Sequence, residues 1–305
     1  MEIVVDIQNV TKKIKGKTII DDLSFEVKKG EVFGFLGPNG AGKTTTIRMI
    51  VGLMGITSGD IKIAGFSIQT QFESAVNHIG AIVENPEMYK FMSGYDNLRH
   101  YARMTNKVSN EKLEEVIELV GLKDRINDKV KTYSLGMRQR LGLAQSLLHD
   151  PQVLILDEPT NGLDPAGIRE IRDHIRMLAR EKGMAVIVSS HLLSEMEMMC
   201  DRIGIIQNGR LIDVQQVHDF VEGNGVVYEF EVGQKESAHE ITKIHLPEAA
   251  LSFSNKGILI SVSKDQIPLL VKRMVQEGID IYGVNQVTKT LEDRFLEVTK
   301  GKGGI

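Results

Sequence analysis

The sequence predicts an α/β protein: a mostly parallel sheet covered by helices, followed by a small α+β domain. Up to about residue 222, short apolar runs suited to buried strands alternate with helical patterns, which is typical of a parallel sheet. Beyond residue 223 the pattern changes to half-exposed strands and amphipathic helices. A glycine-rich loop between a buried strand and a helix, described below, is the third observation.

The length of 305 residues is sufficient for about two domains. We place the boundary at Gly223-Asn224-Gly225, which predicts domains at 1–222 and 223–305. The net charge of −4 indicates no general basic surface, so we expect no nucleic-acid partner. The single cysteine, Cys200, excludes an intramolecular disulfide and is typical of a reducing compartment, where it serves as a small buried hydrophobe.

The sequence shows no signal for secretion or for membrane insertion. The first residues lack a basic region followed by a long apolar stretch. No window approaches the ~18 continuous apolar residues of a spanning helix. We therefore expect a cytoplasmic protein whose membrane association comes through a partner.

In the first predicted domain, residues 1 to about 30 form short strands interrupted by Lys12-Lys13 and Lys28-Lys29-Gly30. Further strands are predicted at 31–36, 60–65, 79–83, 153–156 and 185–188, and helices at 44–53, 94–127, 137–149 and 168–179. In the second domain, strands are predicted at 226–232, 258–262 and 279–282, and helices at 265–276 and 291–298. The second domain contains no cluster of residues that suggests chemistry.

The loop between strand 31–36 and helix 44–53 has the pattern G-x-x-x-x-G-K-[ST], as Gly37-Pro38-Asn39-Gly40-Ala41-Gly42-Lys43-Thr44. Its glycines let consecutive backbone N–H groups surround an anion, and the helix start adds the positive end of its dipole. We expect Lys43 to reach the β- and γ-phosphates and the Thr44 hydroxyl to ligate Mg²⁺, with Thr45 completing the nucleotide-binding set. A glycine-rich turn with an accidental lysine is the alternative, but both flanking segments argue against it.

Two acids, Asp157 and Glu158, directly follow strand 153–156, at the sheet edge where ligands of open α/β proteins bind. Asp157 is expected to hold Mg²⁺ through water, and Glu158 to polarise the water that attacks the γ-phosphate. A solvated acidic turn is the alternative reading of the pair. His191 follows the next buried strand, so we expect it at the same edge and within reach of the γ-phosphate.

A second anion-binding helix start is predicted where Ser134 and Gly136 open the helix that ends near His149. Serine is also an ordinary helix N-cap, so this feature gains meaning only beside the other elements.

In combination and order, these elements resemble the ATP-binding cassette (ABC) ATPases over residues 1 to about 220. The resemblance makes Tyr133–Met137 the signature motif, Asn161–Asp164 the D-loop and His191 the switch histidine. It implies a cassette with a mostly parallel core sheet, an antiparallel β subdomain and a helical subdomain. It also implies a dimer of cassettes, with itself or with a relative, in which ATP lies between the phosphate loop of one and Ser134 and Gly136 of the other. Asp164 is then among the nucleotide-site residues.

The chain departs from the family pattern at three places. Ile14 stands where an aromatic ring usually stacks on adenine, which predicts weak base selectivity. The signature has Leu135 and Met137 in place of glycine and glutamine. Glu84 replaces the usual Q-loop glutamine; it can contact Mg²⁺ or its water, but it adds negative charge near the triphosphate and predicts a stronger metal dependence.

The variant loop and the small second domain resemble the ATPases of ABC-2 type multidrug, bacteriocin and bacitracin exporters. The resemblance implies an ATP-binding, ATP-hydrolysing subunit, using ATP and Mg²⁺, that energises a separate polytopic membrane permease and lies at the inner face of the cell membrane. In that family the region after Glu84 receives a coupling helix of the permease, although its large apolar residues also suit the core of the helical subdomain. They are Tyr89, Phe91, Met92, Tyr95 and Leu98.

Two alternatives remain open from the sequence. The chain could be a soluble ABC-type ATPase that acts in translation or nucleic-acid transactions, although such proteins usually carry two cassettes or long coiled-coil insertions. The second domain could also sense a ligand that regulates the ATPase, which is compatible with transport.

Overall fold

The computed structural model describes residues 2–105, 108–222, 227–287, 291–292 and 295. The chain divides into two compact units, Met1–Val217 and His218–Ile305. The glycine-rich segment at 223–225, where we placed the domain boundary, lies outside the described residues. The division at residue 222 therefore stays a prediction.

The bounds of the elements up to residue 222 are as follows. The strands are β1 (Ile3–Ile14), β2 (Lys17–Lys28), β3 (Val32–Leu36), β4 (Ser58–Ile63), β5 (Phe66–Ser67), β6 (Ile79–Ile82), β7 (Val153–Asp157), β8 (Ala185–Ser190), β9 (Arg202–Gln207) and β10 (Arg210–Gln216). The helices are α1 (Lys43–Ile50), α2 (Phe72–Val76), α3 (Gly94–Ala102), α4 (Asn110–Leu119), α5 (Leu135–Ser146), α6 (Pro165–Lys182), α7 (Leu193–Met199) and α8 (Val217–Glu222).

The core of the first unit is a six-stranded sheet with the order β10-β9-β3-β8-β7-β6. Strands β9, β3, β8, β7 and β6 run parallel, and β10 pairs antiparallel with β9. Every residue of β3, β7 and β8 is buried, as expected for strands covered on both faces. The predicted mostly parallel sheet is therefore confirmed.

A second, antiparallel sheet has the order β2-β1-β4-β5. Its first two strands are 12 residues each, so the prediction of short strands interrupted at Lys12-Lys13 is wrong. Strand β1 continues through both lysines because they pair with Ile20 and Thr18 of β2. An antiparallel sheet accepts polar side chains on its solvated face, and the Lys12 ammonium donates a hydrogen bond to the Gly55 carbonyl at 2.5 Å.

The helical subdomain contains α3, α4 and α5, with short 3₁₀ turns at Lys123–Arg125 and Val130–Thr132. The single predicted helical stretch at 94–127 is thus divided, because Ser93 and Ser109 each start a new helix by accepting a backbone hydrogen bond at its N-cap. In α4 the apolar residues Leu113, Val116 and Ile117 are buried. Helix α5 begins two residues earlier than predicted and ends at Ser146.

The second unit consists of β11 (Val227–Val232), α9 (Lys235–His245), β12 (Leu251–Phe253), β13 (Gly257–Ser261), α10 (Ile267–Gln276) and β14 (Ile281–Val287). These strands form an antiparallel sheet with the order β12-β13-β11-β14, which is the βαββαβ arrangement of ferredoxin-like folds. The predicted α+β character is confirmed, but α9 and β12 were missed. The helix predicted at 291–298 lies largely outside the described residues.

Cys200 follows α7 and is buried against the core sheet. A side chain added at Gly34 of β3 would place its Cβ 2.9 Å from the Cys200 sulfur, which shows how closely helix and sheet approach. Burial raises the pKa of the thiol, because a thiolate loses its solvation in this apolar setting. Within the described part of the chain, no helix has the length and apolarity needed to cross a membrane.

Candidate nucleotide site

The phosphate loop leaves the end of β3 and enters α1 through two glycines that cannot be replaced without strain. Gly42 has φ = 115°, a conformation that residues with a Cβ rarely adopt, and an added Cβ would lie 2.4 Å from Ile20 Cδ1. An added Cβ at Gly37 would lie 2.4 Å from the Ile206 carbonyl oxygen. Close packing thus fixes both ends of the loop, while Pro38, Asn39 and Gly40 are exposed.

The start of α1 is suited to an anion. Its N-cap, Gly42, provides no side-chain hydrogen bond, and the first turn contains no acidic residue. The first backbone N–H groups of the helix and the positive end of its dipole are therefore not neutralised by a side chain of their own turn. Thr44 and Thr45 are half-buried in this turn, whereas Ala41 at the end of the loop is buried.

Lys43 is buried and its ammonium is held by the loop itself. Nζ donates hydrogen bonds to the carbonyl oxygens of Gly37 at 2.6 Å and Pro38 at 3.4 Å. Burial lowers the pKa of Lys43 because it removes solvent from the charged form, and the negative charges of Glu158 and Asp157 partly oppose this shift. The structure thus brings the loop lysine within electrostatic reach of both acids.

Asp157 is the last residue of β7 and is buried. In the pairing of β7 with β8 its partner is Ser189, whose hydroxyl donates a hydrogen bond to Asp157 Oδ1 at 2.5 Å. The other carboxylate oxygen, Oδ2, is left for other ligands. Mg²⁺ prefers oxygen ligands and usually keeps several waters, so one carboxylate from Asp157 and the Thr44 hydroxyl form a suitable donor set.

Glu158 has a left-handed backbone with φ = 52°, which is uncommon for a residue other than glycine. Its backbone N–H donates to the Ser189 carbonyl at 3.2 Å and to the Ser189 hydroxyl at 3.1 Å. Its side chain is a quarter exposed, and Oε2 lies 2.6 Å from Nδ1 of His191. The left-handed turn directs the carboxylate to the histidine that follows β8, as expected for groups at one sheet edge.

Glu84 follows β6 and also has a left-handed backbone, with φ = 67°. Its carboxylate forms an ion pair with the guanidinium of Arg48, which lies on α1. The pair is largely exposed, and therefore contributes little to stability by itself. The ion pair nevertheless joins the helix of the phosphate loop to the loop after β6. In this pair Arg48 compensates the negative charge that Glu84 adds in place of glutamine.

Ser134 and Asp164 are both helix N-caps. The Ser134 hydroxyl accepts a hydrogen bond from Met137 N–H at 3.2 Å at the start of α5, and Asp164 Oδ1 accepts one from Gly167 N–H at 2.9 Å at the start of α6. The two helix starts are neighbours. A Cβ on Gly136 would be 3.9 Å from Leu163 of the D-loop segment, in ordinary contact.

The structure therefore brings Lys43, Asp157, Glu158 and His191 together, and it groups Ser134, Gly136 and Asp164 in a second cluster. Glu84 is connected to the first cluster through Arg48 and α1. Two contributors were missed from the sequence, Arg48 and Ser189. A hydroxyl at the end of an otherwise apolar strand was the available signal for Ser189, whereas nothing in the local pattern around Arg48 indicates its partner.

Comparison with known proteins agrees with this geometry. A family described as "ABC transporter" matches residues 20–161. The uncharacterized ABC transporter ATP-binding protein YhcH of Bacillus subtilis (strain 168) is 62% identical over 299 residues, which cover 98% of this chain and 97% of that protein. The chain belongs to the ABC transporter ATP-binding proteins. It is accordingly an ATPase cassette subunit, as the resemblance implied.

Two further comparisons support the assignment to this ABC family. The bacitracin transport ATP-binding protein BcrA of Bacillus licheniformis is 38% identical and is covered over 99% of both chains. A solved structure of an ATP-binding subunit of an ABC transporter aligns with a TM-score of 0.64 and 28% identity, over 71% of this chain and 91% of that one. The predicted cassette fold is confirmed.

Replacing Lys43 by alanine should abolish tight binding of ATP to the cassette. The variant removes a cation held at the phosphate loop, and we expect the Kd for a fluorescent ATP analogue to rise by roughly 10- to 100-fold, as for loss of a charged hydrogen bond. Titration of the analogue measures it, and thermal unfolding shows that the variant is folded. The matched control is Lys123→Ala, whose side chain is 68% exposed and should leave the Kd unchanged. Wild-type affinity in Lys43→Ala would contradict the assignment of the loop.

Proposed function

We propose that the protein is the ATP-hydrolysing subunit of an exporter and energises a separate membrane permease. The contact between Glu158 and His191, at the edge that also holds Lys43 and Asp157, carries the hydrolytic part of the proposal. The transport part rests on the ABC transporter family and on one relative named for bacitracin transport.

Each residue of the first cluster has a separate task in hydrolysis. Lys43 exchanges its hydrogen bonds to loop carbonyls for the β- and γ-phosphates, which relieves the cost of its burial. Thr44 and Asp157 would hold Mg²⁺, which when bound neutralises charge on the phosphates. Glu158 accepts the proton of the attacking water. His191, whose Nδ1 lies 2.6 Å from the Glu158 carboxylate, orients that carboxylate beside the γ-phosphate.

The second cluster serves a neighbouring cassette in a dimer. Ser134 is exposed at the start of α5, and a helix start with adjacent N–H groups and a hydroxyl whose O–H can donate suits a phosphate. Ser134 and Gly136 therefore complete the site of the partner cassette. Asp164 holds the D-loop next to them by capping α6, so that the opposing surface is preformed.

The permease contacts the aromatic surface that follows Glu84. Phe91 is 68% and Tyr89 is 44% exposed, and their rings meet edge to face at 5.8 Å. Leu98, by contrast, is fully buried in the subdomain. Exposed aromatic side chains that contact one another are typical of interaction surfaces. Through this contact the cassette is held at the inner face of the membrane.

The soluble alternative, an ATPase in translation or nucleic-acid transactions, has less support. The relatives given above are named as transporter subunits. The net charge of −4 also offers no basic surface for nucleic acid. A regulatory role of the ferredoxin-like unit is compatible with transport.

Glu158→Gln should bind ATP and hydrolyse it at least roughly 100-fold more slowly, because a positioned general base contributes a factor of that size. The bound nucleotide should then hold two cassettes together, and size-exclusion chromatography with ATP and Mg²⁺ should show a dimer. Glu181→Gln, at an exposed position of α6, is the matched control and should remain active. Normal turnover in Glu158→Gln would place the base elsewhere.

Glu84→Gln should lower the Mg²⁺ concentration needed for half-maximal ATPase activity by roughly two- to fivefold. The change removes one exposed negative charge near the triphosphate, and exposed charges of this kind contribute ~0.2–1 kcal/mol. Glu87→Gln, an exposed acid in the same segment, should leave the Mg²⁺ requirement as it is. Equal Mg²⁺ curves for Glu84→Gln and wild type would refute this role.

A pull-down tests the transport function directly. Tagged Glu158→Gln, recovered from its native cells in mild detergent with ATP and Mg²⁺, should carry a polytopic membrane protein in fixed ratio. Adding Phe91→Ala should release that partner, whereas Phe72→Ala, at a 47% exposed phenylalanine of α2, should not. Recovery of soluble proteins or ribosomes alone would overturn the exporter and favour the soluble alternative.

A further inference from the structure

Ser189 lies between the two strands that deliver the phosphate loop and the acids. Strand β8 is flanked by β3 and β7 in the core sheet. In this register Ser189 pairs with Phe35 on one side and with Asp157 on the other. The residue is fully buried. It therefore occupies the centre of the sheet edge from which the site is built.

The Ser189 hydroxyl lies among apolar side chains, where a polar group requires hydrogen-bond partners. Ala185 and Ile187 precede Ser189 on the same face of β8 and belong to the hydrophobic core, together with Phe35 and Ile155 of the neighbouring strands. A hydroxyl in such a row is costly unless its hydrogen bonds are satisfied. The Ser189 hydroxyl makes two hydrogen bonds, one as donor and one as acceptor. One bond is to Asp157 and the other is to Glu158.

The hydroxyl proton is donated to Asp157 Oδ1 at 2.5 Å, and the hydroxyl oxygen accepts the backbone N–H of Glu158 at 3.1 Å. The first bond fixes the orientation of the carboxylate, so that Oδ2 is the oxygen that would be available to a metal. The second supports the left-handed backbone of Glu158, together with the Ser189 carbonyl oxygen that accepts the same N–H at 3.2 Å. One side chain thus orients both acids.

We propose that Ser189 is a positioning residue for both Asp157 and Glu158: it directs one carboxylate to the metal and the other to the attacking water. The inference deepens the proposed function and rests on it. It assigns no chemical step to the serine, which acts through the two acids. Its removal is expected to affect metal binding and turnover together, while binding of the nucleotide phosphates to the loop continues.

The neighbouring Ser190 provides a matched control. It is equally buried and follows Ser189 directly, but alternation along β8 turns it to the opposite face of the sheet. Its hydroxyl accepts a hydrogen bond from Leu192 N–H at 3.0 Å. Ser190→Ala therefore removes a buried, hydrogen-bonded hydroxyl without changing a contact to either acid.

The first readout is metal affinity without turnover. Full-length wild type, Ser189→Ala and Ser190→Ala are saturated with the non-hydrolysable analogue AMP-PNP and titrated with Mn²⁺ by electron paramagnetic resonance. We expect about tenfold weaker Mn²⁺ binding in Ser189→Ala, the effect of losing one hydrogen bond to a charged group. Ser190→Ala should match wild type. Affinity for AMP-PNP in EDTA should be the same in all three proteins.

The second readout tests whether Ser189 acts through the Asp157 carboxylate. In an Asp157→Asn background, Ser189→Ala should cause little further loss of Mn²⁺ affinity, because the carboxylate through which it acts is absent. With Mg²⁺ and ATP, Ser189→Ala should lower kcat by at least about tenfold, as for loss of a hydrogen bond that orients a metal ligand, and leave KM nearly unchanged. Equal effects of Ser189→Ala and Ser190→Ala, or an equal Mn²⁺ loss in both Asp157 backgrounds, would overturn the inference. Absence of metal-dependent nucleotide binding in wild type would instead refute the proposed function, and this inference with it.

Discussion

The site depends on one constraint, the common edge at which the parallel strands β3, β8 and β7 end. The phosphate loop, the segment from Ser189 to His191 and the pair of acids are far apart in the sequence, yet each follows one of these strands. Parallel pairing ends neighbouring strands at the same edge. The apolar core beneath them therefore fixes the distances between the candidate site residues, and a change of register would separate them all.

The charged groups at this edge compensate one another within the protein itself. Lys43 is buried at a desolvation cost, which loop carbonyls and the nearby acids partly offset. Asp157 is likewise buried but accepts a short hydrogen bond from Ser189. The exposed carboxylate of Glu84 is paired with Arg48. The arrangement holds reactive groups in place without leaving an isolated buried charge, which would be strongly destabilising.

The features that could be predicted from the sequence are those with a local signal. The loop from Gly37 to Thr44 is contiguous, the strands around Ile155 and Ile187 are uniformly apolar, and Ser134 is an ordinary N-cap, so each is visible within a short window.

The length of β1 and β2 was not visible in the sequence, because half-exposed antiparallel strands accept the lysines that suggested interruptions. Helix α9 was missed because its pattern is largely polar. The bonds of Ser189 and the pair of Arg48 with Glu84 join residues distant in sequence, and only the assembled sheet and its flanking helix bring them together.

The burial of Cys200 has a practical consequence for studying motion in this molecule. A thiol that is buried and whose pKa is raised forms little thiolate at neutral pH, and thiolate is the species that reacts with alkylating probes. Since the sequence contains no other cysteine, a cysteine introduced at an exposed position outside the nucleotide site, such as Lys123 or Glu181, becomes the reactive thiol of the folded chain. Spin labels or fluorophores can thus be attached at a chosen site with the native background intact, and the motion of that site can be followed through the ATPase cycle.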